Sequence, residues 1–444
     1  MPSATTSLNE LARVTLPAEL SVAGPRPLRG RLRVPGDKGI AHRALLFAAL
    51  AEGRSRVGGV PDGDDVERTR LALEQLGVRC RAAGGPVSVH GLGGVLREPE
   101  GVIDCGNSGT TMRMLAGLVA AHPFLTVLTG DESLVTRPMA RIAEPLRAMG
   151  AHVDGREGAT RAPLAIHGGG LGGARHELEA ASGQVKTALV LAGLQADGTT
   201  EIVEPRRSRD HTERMLTALG APLEIVDERT LRVRRGALPP FELEVPGDPS
   251  AAAFFAVAAS VTPGSSIVLE DVSINPTRIE FVKVLLRMGG HVEVRQTGER
   301  LGEPVGEIAV EAAPLSGTTI TPDEGSIDEV PALAVAAAFA EGVTEITDAA
   351  ELRVKESDRI GTLEQELSLL GVEVEARPDG LTIWGGRPRA AELKSHGDHR
   401  VAMAAAVAAV ACDGESTVRG WRAVASSYPS FADDLTSLTD GTNA

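Results

Sequence analysis

Aromatic side chains are scarce in this sequence. Its 444 residues hold one tyrosine, two tryptophans and eight phenylalanines. The core must therefore come from Ala, Val, Leu and Ile, with 51 glycines allowing close backbone approach. Cysteine is scarcer. Cys80, Cys105 and Cys412 are too few and too scattered for a disulfide framework, and no Cys-x-x-Cys occurs. A reducing cytosol fits that usage. Basic charge is in deficit: 45 Lys and Arg against 60 Asp and Glu give a net charge of -15. Nucleic acid is thereby excluded as an expected partner, since phosphate backbones need a basic surface. An anionic substrate would need basic residues to converge locally against that field. Long apolar runs are also missing. The longest, Val401–Cys412, spans 12 residues and is Ala-rich, which reads as a buried helix and not a membrane span. The first 30 residues carry no basic-then-apolar run, so no secretory leader is expected. No Walker loop or Rossmann fingerprint supports nucleotide binding.

The rest of the composition is that of a globular protein, with 42% apolar and 24% charged residues. The length suits two or three domains. A repeat organises it. Five segments read as an amphipathic helix, then Leu-Gly or Met-Gly, then a short strand, ending at Gly77, Gly150, Gly220, Gly289 and Gly371. The period of roughly seventy residues predicts a repeated α/β unit. Each glycine stands where a helix ends and a left-handed backbone is wanted. The tail, Phe431 to Thr442, offers a degenerate sixth helix. A longer-range similarity pairs Val34-Pro-Gly-Asp37, leading into Ala44–Ala49, with Val245-Pro-Gly-Asp248, leading into Ala251–Ala256. Two related halves of about three units each are expected.

Several segments carry chemistry. Val34–Arg43 puts a Pro-Gly turn, Lys38 and Arg43 at the entry to an apolar helix over Ala44–Leu50. A helix start favours anions, and two cations reinforce it. Gly39 and Ala41 lack the hydroxyls such a site could use. Cys105–Arg113 is a small-residue turn before a helix, with Ser108, Thr110 and Thr111 able to cap it. Pro138, at a first helical position, would aim Arg137 at a helix start. Ser182 and Ser208 each read as an N-cap, which explains both without a ligand. His211 reads as a structural or surface histidine and not a catalytic one. Glu351–Arg359 packs six charges into nine residues, with Glu356 and Arg359 on one face. Asp328-Glu329 and Asp398-His399-Arg400 each open an Ala-rich helix, where polar groups are good site candidates. His396 and His399 invite a metal, but no third ligand stands at a supporting spacing, so no zinc site is expected.

In order along the chain, ProGlyAspLys38, GlyAsnSerGlyThr110, ArgProMet139, SerArgAspHisThrGlu213, AsnProThrArg278, LeuArgValLysGluSerAspArg359 and AspHisArg400 resemble the 5-enolpyruvylshikimate-3-phosphate synthase family. The likeness runs from about Leu32 to Phe431. It implies an α/β fold of two lobes, an inside-out barrel of six βαβαββ repeats, three per lobe. One lobe would hold residues 36–245 and bind the acceptor. The other would hold 1–35 and 246–444 and bind phosphoenolpyruvate, with the active site between them. The implied reaction moves the enolpyruvyl group of phosphoenolpyruvate to the 5-hydroxyl of shikimate 3-phosphate and releases phosphate. It needs no metal or other cofactor. The resemblance casts Lys38, Asp328 and Glu356 as catalytic. It gives phosphoenolpyruvate Lys38, Gly109, Arg137, Gln184, Arg359 and Arg400. It gives the acceptor Lys38, Gly39, Arg43, Ser182, Gly183, Gln184, Ser208, Asp328 and Lys355, with His399 a further contributor. A cytoplasmic monomer acting on small anions is implied, with neither membrane nor nucleic acid involved.

The sequence departs from the family pattern mainly near the acceptor. Gly39-Ile40-Ala41 replaces Ser-x-Ser, Gly183 stands where Ser or Ala is usual, and Ala251, Val135-Thr136 and Ser426 are further differences. A paralogue acting on a modified cyclic acceptor, by transfer or by phosphate elimination, is the alternative. The related transferase acting on UDP-N-acetylglucosamine carries a loop cysteine, which Gly130–Arg137 lacks. A binding protein without catalysis fits poorly with Lys38, Asp328, Glu356, Arg359 and Arg400 together.

Overall fold

The computed structural model describes residues 16–82, 85–323 and 325–440. The expectation for residues 1–15, and the end of the tail at Gly441-Thr442, lie outside the described residues.

Among the described residues, five four-stranded sheets share one pairing pattern, and a sixth, of three strands, keeps its parallel pair and one antiparallel pair. In the sheet Ile103–Asp104, Leu125–Thr129, Arg161–His167, His152–Gly155, the first pair is parallel and the other two are antiparallel. The same order of pairings recurs in the sheet Arg175–Glu177, Thr199–Val203, Thr230–Arg234, Leu223–Ile225. It recurs again in the sheet Thr319–Ile320, Val343–Ile346, Gly380–Trp384, Glu373–Arg377. In these three sheets the parallel pair is joined by a buried helix, since parallel neighbours need a crossover connection. Each antiparallel pair follows an amphipathic helix closed by a glycine. Gly77, Gly150, Gly220, Gly289 and Gly371 all have φ between +70° and +107°, as the repeat predicts. The sixth such helix is Phe431–Thr439.

Two sheets exchange strands. Arg29–Leu32 precedes the helix Lys38–Leu50, yet it pairs in parallel with Ser266–Ser273. Glu242–Glu244 precedes the helix Pro249–Val261, yet it pairs in parallel with Glu52–Gly58. The two crossing segments run side by side. Gly36 bridges Gly247, Asp37 N–H donates to the Pro246 carbonyl at 2.7 Å, and Asp248 N–H donates to the Pro35 carbonyl at 2.8 Å. A Cβ on Gly36 would run into the Gly59 carbonyl oxygen, so only glycine fits there.

Two separate cores result. One is made of buried residues from Ile40 to Val245. The other takes Leu28, Leu32 and Val34 and then residues from Ala252 to Leu438. The helices Lys38–Leu50, Gly109–Val119 and Gly183–Gly193 are nearly wholly buried in the first core. Pro249–Val261, Val330–Phe339 and His399–Ala411 are their counterparts in the second. Ala-rich helices can pack this closely because their side chains are small, which is how so few aromatics suffice. The aromatics that exist are concentrated. Phe254, Phe255, Trp421, Tyr428 and Phe431 form one cluster in the second core, with the Phe255 and Phe431 rings 4.9 Å apart. Among the described residues, no helix is long and apolar enough to cross a membrane.

Candidate active site

All six buried helices begin at one cleft of about 420 Å³. Asp37, Ser108, Ser182, Asp248 and Asp398 cap five of them, each accepting a hydrogen bond from a first-turn N–H. The sixth, Val330–Phe339, is entered through the turn Ile327–Glu329. Convergent helix starts aim free N–H groups and positive dipole ends at the same space. Ten lysine and arginine side chains line it against eight carboxylates. This local excess of positive charge, in a chain of net charge -15, marks a site for anions.

The first helix starts at Lys38, six residues earlier than the apolar pattern suggested. This places Lys38 and Arg43 one turn apart. Lys38 Nζ lies 2.8 Å from Asp65 Oδ2. Asp65, which the sequence reading did not single out, is one of three acidic residues in the first turn of the helix Asp64–Gln75. Arg43 is 2% exposed and donates to the Thr212 hydroxyl at 2.9 Å and to the carbonyls of Gly39 at 2.8 Å and Gly183 at 3.0 Å. Ala41 does not belong to the site. It is 0% exposed inside the first core, so a serine there would offer nothing to a ligand. Gly39 does line the cleft.

Arg137 also arrives differently than expected. The helix after it begins at Ala140, so Pro138 is not a first helical residue. A single turn, Leu134–Thr136, sets Arg137 instead. Its Nη2 donates to Asn107 Oδ1 at 2.6 Å, and its Nη1 lies 3.4 Å from Glu356 Oε1. Gln184 is held on both ends, accepting from Arg113 Nη1 at 2.6 Å and donating to the Thr110 hydroxyl at 2.9 Å. The Gly109 N–H is occupied by the Asn107 carbonyl at 3.1 Å. Arg113 was passed over in the sequence. Burial pulls its guanidinium down to about 10, assisted by Arg141 and Arg137.

Ser182 caps its helix as expected. Ser208 caps nothing, because the helix His211–Ala218 is entered at Asp210. Among the described residues, the Ser208 hydroxyl is buried with no hydrogen-bond partner, so its bonding capacity is unspent. His211 is structural, fully buried with Nδ1 2.8 Å from Glu303 Oε1.

On the opposite wall stand the carboxylates. Glu356 lies before the helix Arg359–Leu369 and not on its face as the spacing suggested. It still meets Arg359, whose Nη2 donates to Glu356 Oε2 at 2.6 Å. Arg359 is fixed from behind by Asp398, with its Nε 2.8 Å from Asp398 Oδ2. Arg359 Nη1 lies 3.2 Å from Asp328 Oδ1, and Lys355 Nζ lies 3.7 Å from the same oxygen. Arg209 reaches across the cleft to Asp328 Oδ2 at 2.8 Å. Arg400 donates to the Asp328 carbonyl at 2.9 Å. Burial pushes the Asp328 carboxyl up, but Lys355, Arg400, Arg209 and Arg359 outweigh it and hold the group well below the usual range. Glu356 behaves alike: burial raises it, and Arg359, Arg137, His399 and Lys38 bring it well below. Burial draws His399 down to about 4, so it is neutral near pH 7. His396 turns away to pair with Glu366 at 2.6 Å. Among the described residues, no three His, Cys, Asp or Glu side chains are grouped to hold a metal ion.

The structure thus gathers Lys38, Gly39, Arg43, Gly109, Arg137, Ser182, Gly183, Gln184, Asp328, Lys355, Glu356, His399 and Arg400 around one cavity. Ser208 and Arg359 do not line it: Ser208 is buried as the chain neighbour of Arg209, and Arg359 meets it only through Asp328 and Glu356. Chemically, the arrangement can bind anionic groups beside two carboxylates, Asp328 and Glu356.

The family model of EPSP synthase (3-phosphoshikimate 1-carboxyvinyltransferase) matches residues 22–435. A 3-phosphoshikimate 1-carboxyvinyltransferase of Synechococcus sp. (strain JA-3-3Ab) is 48% identical over 96% of this chain and 98% of that protein. An enzyme of that name from Thermus thermophilus is 49% identical over 93% of this chain and 97% of that one. Among solved structures, EPSP synthase of Acinetobacter baumannii superposes with a TM-score of 0.85 at 40% identity, covering 95% of this chain and 98% of that one. The enolpyruvyl transferase NikO of Streptomyces tendae shares the fold, with a TM-score of 0.74 at 20% identity over 94% of this chain and 96% of its own. The chain belongs to the EPSP synthase family.

Proposed function

We propose that this chain transfers the enolpyruvyl group of phosphoenolpyruvate to the 5-hydroxyl of shikimate 3-phosphate and releases inorganic phosphate. The observation that carries this reading is the cleft itself: six helix starts and a surplus of cations surround Asp328 and Glu356. Relatives near 48% identity along almost the whole chain bear the name of that activity.

The roles are those the family resemblance implies, and the placement of most of these side chains around the cleft supports them. Arg359 and Arg400 clamp the phosphoenolpyruvate carboxylate, which suits planar bidentate donors. Lys38, Arg137, Gln184 and the Gly109 amide hold its phosphate. The last two exchange their protein partners for the ligand. Ser182 and Ser208 receive the acceptor phosphate, with the Ser208 hydroxyl free for it. Arg43, Gly39 and Gly183 border the ring carboxylate, and Lys355 completes the acceptor contacts. Residues 36–245 form the acceptor lobe. Residues 1–35 and 246–444 form the phosphoenolpyruvate lobe. We place the protein as a monomer in the cytosol.

The reaction adds a proton to the methylene carbon while the acceptor oxygen bonds to C2. Loss of phosphate and of a methyl proton then restores the double bond. Asp328, ionised, takes the hydroxyl proton. Glu356 handles the proton at carbon. Arg359 and Arg137 keep Glu356 ionised against its burial. Once phosphoenolpyruvate occupies those arginines, their charge is spent on the ligand and the Glu356 pKa rises toward a range where it can carry a proton.

Phosphate release measured with shikimate 3-phosphate and phosphoenolpyruvate together is expected to be robust and to require both. No release with that pair, but release with another shikimate-like acid, would replace the acceptor. Gly39 is what favours this second reading, since it leaves the cleft short of a hydroxyl beside Arg43.

A further inference from the structure

The block Asn275-Pro-Thr-Arg278 has no role in the chemistry above. It reaches from the second core to the first at every polar position. Asn275 Nδ2 donates to Asp210 Oδ1 at 2.7 Å, and Thr277 Oγ1 donates to the same oxygen at 3.2 Å. Arg278 is 1% exposed. Its Nη1 donates to Asp37 Oδ2 at 2.8 Å. Its Nη2 donates to Asp248 Oδ1 at 3.2 Å and to the Ser250 hydroxyl at 2.7 Å. Glu329 lies 3.7 Å from the same nitrogen, and the Ser250 hydroxyl donates to it. Asp37 and Asp248 are the N-caps of the two helices that follow the crossings. One guanidinium therefore ties both caps and both crossings together.

We infer that Arg278 is a positioning residue for the transfer reaction. It fixes the start of the helix Lys38–Leu50 against the start of Pro249–Val261, and so sets where Lys38 and Gly39 stand in the cleft. The fork of the guanidinium is what permits this, since a lysine ammonium presents one point and cannot hold two caps in a fixed separation. Arg278 also backs Glu329, the neighbour of Asp328, so both walls are referenced to it.

Two variants test it. Arg278→Lys keeps the charge and loses the fork. Asp37→Asn keeps the helix cap, because Asn caps as well as Asp, and loses the charge that Arg278 holds. Each is expected to lower kcat about a hundredfold, the cost of misplacing reacting groups by about 1 Å, with KM moving less than kcat. The double variant is expected to be little worse than either single one, because both remove the same contact. If Arg278 were merely structural, Arg278→Lys would lower the unfolding midpoint and leave kcat of the folded enzyme unchanged. That result, or fully additive losses in the double variant, would overturn the inference. The inference rests on the transfer reading for its kinetic readout. Labelling of Lys38 by an amine-selective reagent, followed by mass spectrometry, needs no substrate. It is expected to run severalfold faster in both variants, and unchanged labelling would overturn the positioning role. A wild-type protein without turnover, alongside faster labelling in the variants, would overturn the transfer reading alone.

Discussion

The two walls of the cleft are built from the same repeat and do different work. The wall of the first core offers Lys38, Arg43, Arg137, Ser182 and Gln184, which are donors set at or near helix starts. The wall of the second core offers Asp328, Glu356 and Arg400 in the cavity, with Arg359 and Asp398 behind them. The contrast is clearest in the paired helices. Lys38–Leu50 and Pro249–Val261 are both capped by Asp and both buried, but the second has no charged residue in its length. The two frames are alike in attracting anions, and on the roles proposed above side-chain choice makes one chiefly a binding wall and the other an acid–base wall. If this division holds, changes to the side chains proposed to touch the acceptor on the first wall move KM, and changes to the two carboxylates of the second move kcat.

The largest effect is expected from Glu356→Gln. Removing a group that transfers a proton to carbon should lower kcat about a thousandfold while both ligands still bind by calorimetry. A kcat near wild type in that variant would erase the distinction between the walls. A smaller effect is expected from Gly39→Ser. Its Cβ would meet Asp37 Oδ1 at 3.1 Å and Arg43 Nη1 at 3.4 Å, close but tolerable. A hydroxyl there adds a hydrogen bond to a charged acceptor group, so KM for shikimate 3-phosphate should fall about tenfold with kcat little changed. A rise in KM would mean that this wall is shaped for a different acceptor, and would favour the second reading.

The smallest effect on activity, and a measurable one on stability, concerns two buried histidines, one from each core. Burial draws His42 down to about 3 from a usual 6.5, and His399 down to about 4. Between those values and 6.5 the unfolded chain binds protons that the folded chain refuses. Unfolding free energy therefore rises with pH in that window and is lost as pH falls below 6.5. Thermal unfolding midpoints from pH 7 to pH 4 should decline accordingly. His42 Nδ1 is 2.7 Å from the Thr69 hydroxyl. His42→Asn, which can keep that contact, should flatten the decline. A slope unchanged in that variant would remove His42 as its source.

Much of the site was legible in order along the chain because helix starts have local signatures. ProGlyAsp before Lys38, Ser182 before its apolar run and Asp398 before the Ala-rich helix all act over three or four residues, and sequence spacing reads them directly. The resemblance then gathered those pieces correctly into one family. Ser208 failed as a cap because Asp210 enters the helix instead, held locally by Arg207 and Arg214 and across the molecule by Asn275 and Thr277. Asp65 and Arg209 went unassigned because their partners, Lys38 and Asp328, lie 27 and 119 residues away. Ala41 was overvalued, since the side of a fully buried helix that faces a ligand is set by its neighbours.

By itself the sequence determined the repeat, the glycine-closed helices, the paired ProGlyAsp segments and the family. These rest on local periodicity and on backbone conformations that few residues adopt. Only the tertiary structure decided that six helix starts share one cleft and that the two crossings lie side by side. It also decided that one arginine holds both N-caps, and that Asp328 and Glu356 are kept ionised by cations from both walls. Electrostatic coupling depends on distance in space and on burial, and neither is written in spacing along the chain.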